Sequence, residues 1–311
     1  MPLSRFAPTA AFSFTYTFDL ALKERIMKRT VGLSVGSGTK GVDAASFAAY
    51  REAGIEAVEL SLKGLCLSEE YKAQDFKRIA ADARAEGVTP WSFHLPFAPF
   101  ESVDIASLDE DIRKSTVREL RELLLRVGDA GVGIAVIHPS AEPNAPENRA
   151  RHIAAVKESL LSLADAAGRA GVTLAVEDLP RSCIGNCSAE IKELISVDES
   201  LRVCFDTNHL LFEDPVHFVR AVGDKIVTLH VSDYDFINER HWLPGEGRVD
   251  FRALLSALDE VGYSGPWLYE LGLSASPSIA RERDLTPCDL VRNANELFEG
   301  KPFTVLGTPT L

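Results

Sequence analysis

Several short apolar segments of this chain end in a histidine or a carboxylic acid, the side chains that bind divalent cations and transfer protons near neutral pH. Taken singly, each could be a helix cap or a satisfied polar group. Taken together they predict a functional site. Burying so many unpaired ionisable groups lowers the stability of the folded protein, so a structural role for all of them is disfavoured. These residues are Glu59, His94, His138, Glu177, Asp206, His230 and Glu270.

The segments before these residues share a pattern of a helix, a glycine and a short β-rich stretch. It reads "AGIEAVELS", "AGVTLAVEDLP" and "VGYSGPWLYELG" around three of them. The glycine is a typical helix terminator, and the stretches between strands have apolar residues at helical spacing, as in 117–127 and 251–261. With "TVGLSVG" at residues 30–36, the pattern predicts eight strands, spaced by about 35 residues as in βα units.

Eight βα units predict an α/β fold, a single (β/α)8 TIM barrel over residues 28–300. An open doubly wound sheet is the alternative, but "VGSGTKG" at residues 35–41 has neither the P-loop nor the dinucleotide-binding spacing. The carboxyl ends of all barrel strands lie on one face, so the ionisable residues should meet there. Residues 1–27 are expected to be a mobile N-terminal extension and residues 301–311 a C-terminal tail.

The composition argues against several kinds of partner. The chain has 33 basic and 46 acidic residues, a net charge of −13, and no basic run, which disfavours nucleic acid. No apolar stretch reaches the roughly 18 residues of a membrane span, and the first 26 residues do not resemble a signal peptide. Five irregularly spaced cysteines indicate reduced thiols and a cytoplasmic protein. Assembly into a homo-oligomer is left open.

Four of the strand ends carry a resemblance to a known family. "AVEDLP", "FDTNH", "LHVSD" and "LYELG" are similar to motifs of the xylose isomerase-like TIM barrel superfamily, which includes sugar phosphate isomerases and epimerases and the family 2 AP endonucleases. The resemblance covers roughly residues 28–300, and "ERHWLPGEGRVDF" (239–251) is its most specific stretch. It implies one divalent ion, with Mn2+ favoured and Mg2+, Co2+ or Zn2+ as alternatives. The implied metal ligands are Glu177, Asp206, His230 and Glu270.

A metal held in this way suggests a chemistry. A hydroxy-ketone could chelate the ion, which would polarise the carbonyl and stabilise an enediolate. Glu177 and Glu270, on opposite sides of the substrate, are then the candidate acid and base. The prediction is a metal-dependent sugar isomerase or epimerase of carbohydrate metabolism that acts on a keto-sugar or sugar derivative. Elimination from the same enediolate, by a lyase or dehydratase, is an alternative.

Further residues of the same face are expected to contact the substrate. Histidines would bind sugar hydroxyls, Arg240 could bind a phosphate or be a solvated charge, and Trp242 could pack on a sugar ring or form part of an exposed lid. For Glu59, a local ion pair with Lys63 is the simpler interpretation. The predicted substrate-binding residues are His94, His138, His209, Glu239, Arg240, His241 and Trp242.

Two features of these residues bear on the substrate. The epimerases have a second Glu six residues after the first ligand, where this chain has Cys183. The histidines and Glu239 also resemble the additional ligands of three-zinc AP endonucleases, which have Asp at the position of Glu239. A multi-zinc phosphodiesterase is therefore an alternative to the isomerase, and a sugar-binding protein without activity is a third.

Overall fold

Eight short strands form the centre of the molecule, and their residues are rich in Val, Leu, Ile and Phe, which suits strands covered on both faces. The computed structural model describes residues 29–37 and 40–310. The strands are β1 Val31–Val35, β2 Ala57–Leu60, β3 Thr89–His94, β4 Ile134–Ile137, β5 Thr173–Glu177, β6 Arg202–Asp206, β7 Ile226–His230 and β8 Trp267–Tyr269.

These strands confirm the predicted barrel. They are parallel and lie in the order β7-β6-β5-β4-β3-β2-β1-β8. Beyond β7, Val231 closes the barrel: its N–H donates to Leu268 O (2.8 Å), and Glu270 N donates to Val231 O (3.1 Å). This junction, formed by one isolated bridge between Val231 and Tyr269, is the seam of a nearly closed barrel.

Helices alternate with the strands as the apolar spacing predicts. Several begin at an aspartate whose side chain accepts a backbone N–H, as Asp43 and Asp250 do. The first and fifth end at Gly54 and Gly171, which have φ of +96° and +67°, a conformation that favours glycine. The helices are α1 Ala44–Ala53, α2 Glu69–Lys72, α3 Phe76–Ala85, α4 Glu110–Asp129, α5 Arg149–Ala170, α6 Ser188–Ile195, α7 Pro215–Val222, α8 Phe251–Glu260 and α9 Pro287–Phe298.

The core has two parts that follow from the alternation of side chains along each strand. The larger part lies between the strands and the helices and includes Phe93, Phe205 and Phe251. The smaller part consists of Val136, Ala175 and Cys204. Each of these three stands two positions before a predicted site residue and so points to the same side of its strand. The small cluster therefore forms an apolar floor beneath the site.

The predicted C-terminal tail contains regular structure. Strand β10 (Gly307–Pro309) pairs antiparallel with β9 (Ile279–Arg281), and the two form a sheet separate from the barrel. Phe303 packs edge-to-face on Phe251 of α8. The predicted extension, residues 1–27, lies outside the described residues. In the part of the chain that is described, no helix combines the length and apolarity needed to cross a membrane.

Candidate active site

The carboxyl ends of the strands surround a cleft of about 480 Å3. The seven ionisable residues that follow apolar segments all lie at this end: five end a strand or stand one position before its end, and His138 and Glu270 directly follow β4 and β8. The predicted site residues that line the cleft are His94, His138, Glu177, His209, Glu239, His241 and Glu270.

The four predicted metal ligands come together at the bottom of this cleft. His230 Nδ1 lies 3.1 Å from Glu177 Oε1, 3.1 Å from Glu270 Oε2 and 3.8 Å from Asp206 Oδ2. One donor atom from each of the four residues lies within 4.8 Å of all the others. A set of three carboxylates and one imidazole suits a divalent ion that accepts both oxygen and nitrogen ligands.

The hydrogen bonding and the pKa of Asp206 test whether the four residues suit a divalent ion. Its Oδ2 atom is buried and has no hydrogen-bond partner among the described residues. Burial raises the pKa of Asp206 well above its ordinary value, against the lowering effect of the nearby His209. The protein thus buries a carboxylate without enough positive charge to keep it ionised. A divalent cation would supply that charge, and the four residues fit one.

His230 is held from its other side by Glu59. The Glu59 carboxylate lies 2.8 Å from His230 Nε2, and it accepts hydrogen bonds from Ser92 Oγ (2.8 Å) and Ser61 Oγ (3.3 Å). The contact lacks the geometry of a hydrogen bond, but the negative charge of Glu59 this close to Nε2 favours a proton on that nitrogen, which leaves Nδ1 free for a metal. The predicted pair of Glu59 with Lys63 is wrong, because Glu59 is fully buried and Lys63 lies near Glu70 instead.

Replacing Glu59 by Gln should weaken metal binding by about 10- to 100-fold, the usual effect of losing a carboxylate behind a ligating histidine. Glutamine keeps the shape of the side chain but removes the charge that makes His230 a stronger donor. Titration of the metal-free protein with Mn2+ against a competing chelator measures the change. Glu56→Gln, which alters a partly exposed surface pair with Arg51, is the matched control. Equal affinities for the two variants would contradict the role of Glu59.

The second carboxylate oxygen of Glu177 faces two more histidines. Glu177 Oε2 lies 3.1 Å from His94 Nε2 and 3.3 Å from His138 Nε2. His94 Nδ1 donates to Leu95 O (2.9 Å), which turns Nε2 towards the cleft, and His138 stacks on Phe97 with ring centres 4.0 Å apart. Burial opposes the charged form of His94, but the hydrogen bond and charge of Glu177 outweigh it and raise the pKa of His94.

A third group lies higher in the cleft. His209 Nδ1 donates to Asp178 O (2.8 Å), and its Nε2 lies 3.0 Å from Glu239 Oε1. Ligand atoms of His209, Glu239 and His241 also lie within 4.8 Å of one another. Burial alone would raise the pKa of Glu239, but its contacts with His209 and Arg181 lower that pKa to about 2.

Asn208, the Asn of the "FDTNH" motif, connects the end of β6 to the loop that carries Glu239 and His241. Its Oδ1 accepts hydrogen bonds from the backbone N–H groups of Arg240 (2.9 Å) and His241 (3.3 Å). Asn208 therefore holds the loop that carries Glu239 and His241 against the end of β6. This contact gives the Asn in "FDTNH" a structural role.

Two predicted substrate contacts are placed elsewhere. Trp242 is 1% exposed and is not part of an exposed lid, and its indole N–H donates to Ser278 Oγ (3.0 Å). Arg240 pairs with Asp235 (2.8 Å) and lies over the Trp242 ring. Neither side chain lines the cleft. The prediction that they contact a sugar is therefore not supported, because the loop turns Trp242 into the core and Arg240 towards Asp235.

The "PGEG" stretch supports the site without lining it. Asp233 accepts hydrogen bonds from the backbone N–H groups of Gly245, Gly247 and Val249. A Cβ on Gly247 would lie 2.3 Å from Asp233 Oδ1, so only glycine allows this approach. The motif therefore fixes the loop that follows β7.

The cleft also contains residues that the sequence did not indicate, namely Lys40, Glu142 and Arg181. Cys183, at the position of the second Glu of the epimerases, lines it as well. Arg181 bridges Glu142 and Glu239. Burial raises the pKa of the Cys183 thiol to about 12, so this side chain is neutral at physiological pH. Lys40 lies in the first βα loop, where the only sequence signal was a lysine among glycines.

The chain is similar in sequence and in fold to several known proteins. The chain is 28% identical over 177 residues to an uncharacterised protein of Methanocaldococcus jannaschii (54% of this chain, 60% of that protein). It is 32% identical over 85 residues to fructoselysine 3-epimerase of Escherichia coli O157:H7 (25% and 31%). The matches thus span about 60% or less of these relatives. A solved D-tagatose 3-epimerase-like protein has a TM-score of 0.70 at 19% identity, with 87% of this chain and 98% of that chain covered.

A family model provides the assignment. The model described as xylose isomerase-like TIM barrel matches residues 47–284. This range contains seven of the eight barrel strands and all four candidate metal ligands. The match covers well over half of the chain, and the chain therefore belongs to the xylose isomerase-like TIM barrel family.

Proposed function

We propose that this protein is a metal-dependent sugar isomerase or epimerase that acts on a keto-sugar or a sugar derivative through an enediolate. The observation that carries the proposal is the group of four donor atoms from four strand ends at the bottom of an open cleft. The relatives named as epimerases support the same class of reaction. Elimination by a lyase would use the same residues, but none of these relatives is named for it.

In this proposal Glu177, Asp206, His230 and Glu270 hold one divalent ion, with Mn2+ favoured and Mg2+, Co2+ or Zn2+ as alternatives. When bound, the ion would supply Lewis-acid polarisation of the substrate carbonyl. The unpartnered Oδ2 of Asp206 and the Nδ1 of His230, held in place through Glu59, are the features that prepare the site for it.

Glu177 and Glu270 are the proposed acid and base. Both lie at 3.1 Å from His230 Nδ1, but they come from β5 and from the residue after β8, which lie on different sides of the cleft. Burial alone would raise the pKa of Glu270, but in the metal-free protein the nearby His230 outweighs that effect and lowers it. With His230 bound to the ion through Nδ1, the ion would supply the positive charge that keeps Glu270 ionised and able to accept a proton. One Glu, in its ionised form, removes the proton next to the carbonyl and keeps it. The other Glu, which must carry a proton of its own, donates that proton to the opposite face or to the neighbouring carbon.

The remaining histidines are proposed to hold the substrate. His94, His138, His209 and His241 line the cleft above the metal ligands. Burial lowers the pKa of His138 and of His241, so each is neutral at pH 7 and can both donate and accept a hydrogen bond. Neutral imidazoles of this kind suit sugar hydroxyls, which also donate and accept.

A multi-zinc phosphodiesterase is the second candidate function. It is favoured by a specific observation: two further groups of donors, His94–Glu177–His230 and His209–Glu239–His241, lie beside the first. Against it, the described residues that line the cleft include four glutamates but two Lys or Arg side chains, and one of these, Arg181, is bound to two of the glutamates. This balance disfavours a polyanionic nucleic acid.

Metal analysis separates the two candidates. Protein purified without chelator is expected to contain about one divalent ion per chain, and a duplex with an abasic site should remain uncut when zinc is added. Three tightly bound zinc ions with cleavage of the duplex would support the phosphodiesterase and overturn the isomerase. An activity assay with a small panel of ketoses, followed by NMR of the products, then tests the isomerase directly.

A cytoplasmic location is part of the proposal. All five cysteines lie within the described residues, and none forms a disulfide. Reduced thiols of this kind are usual in a reducing compartment.

A further inference from the structure

Lys40 is a cation in the cleft whose role the proposed chemistry does not explain. Its side chain lines the cleft next to Glu270 and Leu271 and is 8% exposed. Its ammonium donates one hydrogen bond, to Leu271 O (3.1 Å). An ammonium group has three N–H donors, so two remain for a ligand in the cleft.

Arg181, the other Lys or Arg side chain among the described residues of the cleft wall, is already neutralised. Arg181 binds both Glu142 and Glu239. Lys40, in contrast, has no carboxylate within 4.0 Å of Nζ among residues 29–37 and 40–310. Burial lowers the pKa of Lys40 to about 8, while the charges of Glu270 and Glu59 oppose that effect. An ammonium that is only 8% exposed and makes one hydrogen bond leaves two N–H donors unpaired in a nearly buried position, which is costly and suggests that a ligand in the cleft accepts from them.

The backbone around Lys40 is fixed by hydrogen bonds at both sides. Lys40 O accepts from Gly36 N (3.1 Å), and Gly41 O accepts from the Tyr50 hydroxyl of α1 (3.0 Å). A Cβ on Gly41 would lie 2.2 Å from Ser46 Oγ, so the chain packs closely on α1 at this point. The lysine is therefore presented from a defined position on the wall.

We propose that Lys40 binds a carboxylate of the substrate, and that the substrate is therefore an acidic keto-sugar. This inference rests on the proposed function and narrows its substrate class. A single ammonium matches the single negative charge of a carboxylate, whereas a phosphate carries about two charges at neutral pH and would meet only one unpaired cation here. The neutral Cys183 on the wall adds no negative charge that would repel a carboxylate.

Binding of matched probes tests the inference. The probes are D-fructuronate and D-fructose, which differ in a carboxylate against a hydroxymethyl group, and D-fructose 6-phosphate. Affinities are measured by calorimetry on Mn2+-loaded protein, so that the result does not depend on turnover. Wild type should prefer D-fructuronate over D-fructose by about 10- to 100-fold, the effect expected of a hydrogen-bonded charge.

In Lys40→Met, which keeps the length of the side chain, the ratio of the affinities for D-fructuronate and D-fructose should fall to near one. Lys40→Arg should keep part of the preference, and Lys77→Met, which changes an exposed lysine paired with Asp129, should keep all of it. Circular dichroism and metal content establish that each variant is folded. A preference that survives in Lys40→Met, tighter binding of D-fructose 6-phosphate than of D-fructuronate, or failure of wild type to bind any probe would overturn the inference.

Turnover distinguishes this inference from the proposed function. Turnover of D-fructose with no preference for D-fructuronate would leave the isomerase in place and overturn the role of Lys40. Lys40-dependent binding of D-fructuronate without turnover of any ketose would support the carboxylate site and count against the isomerase.

Discussion

Replacing Glu270 or Glu177 by Gln is expected to lower turnover on a ketose substrate by about 100-fold or more, the usual scale of general acid–base catalysis. Glutamine keeps the size of the side chain and one oxygen donor, but it cannot accept a proton from carbon. Metal content should therefore fall less than the rate. Initial rates and metal analysis on the same preparations measure both effects.

Solvent deuterium gives a second readout of the same step. The wild-type enzyme, turning over in heavy water, should place deuterium on the carbon next to the carbonyl. Each Gln variant should slow this exchange as much as it slows turnover. Glu193→Gln, which changes a surface pair between Glu193 on α6 and Lys157 on α5, is the control and should behave as wild type. Full activity in both Glu variants would show that the two residues are ligands only.

Removal of the metal by a chelator should abolish turnover and lower the melting temperature by about 5 °C or more. The estimate follows from the stabilisation of about 2.7 kcal/mol that a ligand gives at 100 times its Kd, converted with the entropy of unfolding of a domain of this size. Differential scanning calorimetry with and without Mn2+ measures the shift.

Asp206→Asn provides the structural control for that experiment. The variant removes a carboxylate that burial keeps protonated in the metal-free protein, and an Asn oxygen can still accept the hydrogen bond from Asn208 N (2.6 Å). Its melting temperature should respond little to Mn2+, and in chelator it should be close to that of wild type, because a buried neutral group replaces another neutral group. Asp224→Asn, at an exposed position, should retain the full response. An undiminished Mn2+ response in Asp206→Asn would exclude this residue as a ligand.

The sequence was sufficient to predict the barrel and the convergence of the strand ends. Glycines after helices, β-rich stretches of four to six residues and apolar helical spacing are local signals, and parallel strands place their carboxyl ends on one face by geometry alone. The same argument brought His94, Glu177 and His230 to one place. It required no knowledge of the loops.

The sequence did not predict the details that depend on long-range packing. Glu59 and Lys63 are close in the sequence, but the strand directs Glu59 into the barrel, where Ser92 and His230 are its neighbours. Trp242 stands in a polar loop, yet that loop folds inward onto Ser278. Side-chain direction in a loop depends on contacts with distant segments, which local pattern does not encode.

The seam between β7 and β8 has a consequence for the dynamics of the barrel. The two strands meet through a single bridge, and the candidate ligands His230 and Glu270 lie on its two sides. A junction with few hydrogen bonds is the part of a barrel that opens first in local unfolding. A ligand bound to both sides would have to be released before the seam could separate, so amide exchange at Val231 and Glu270 would slow when the site is filled. The seam, which has few hydrogen bonds of its own, is thus the part of the barrel whose opening depends most on whether a ligand is bound at the site.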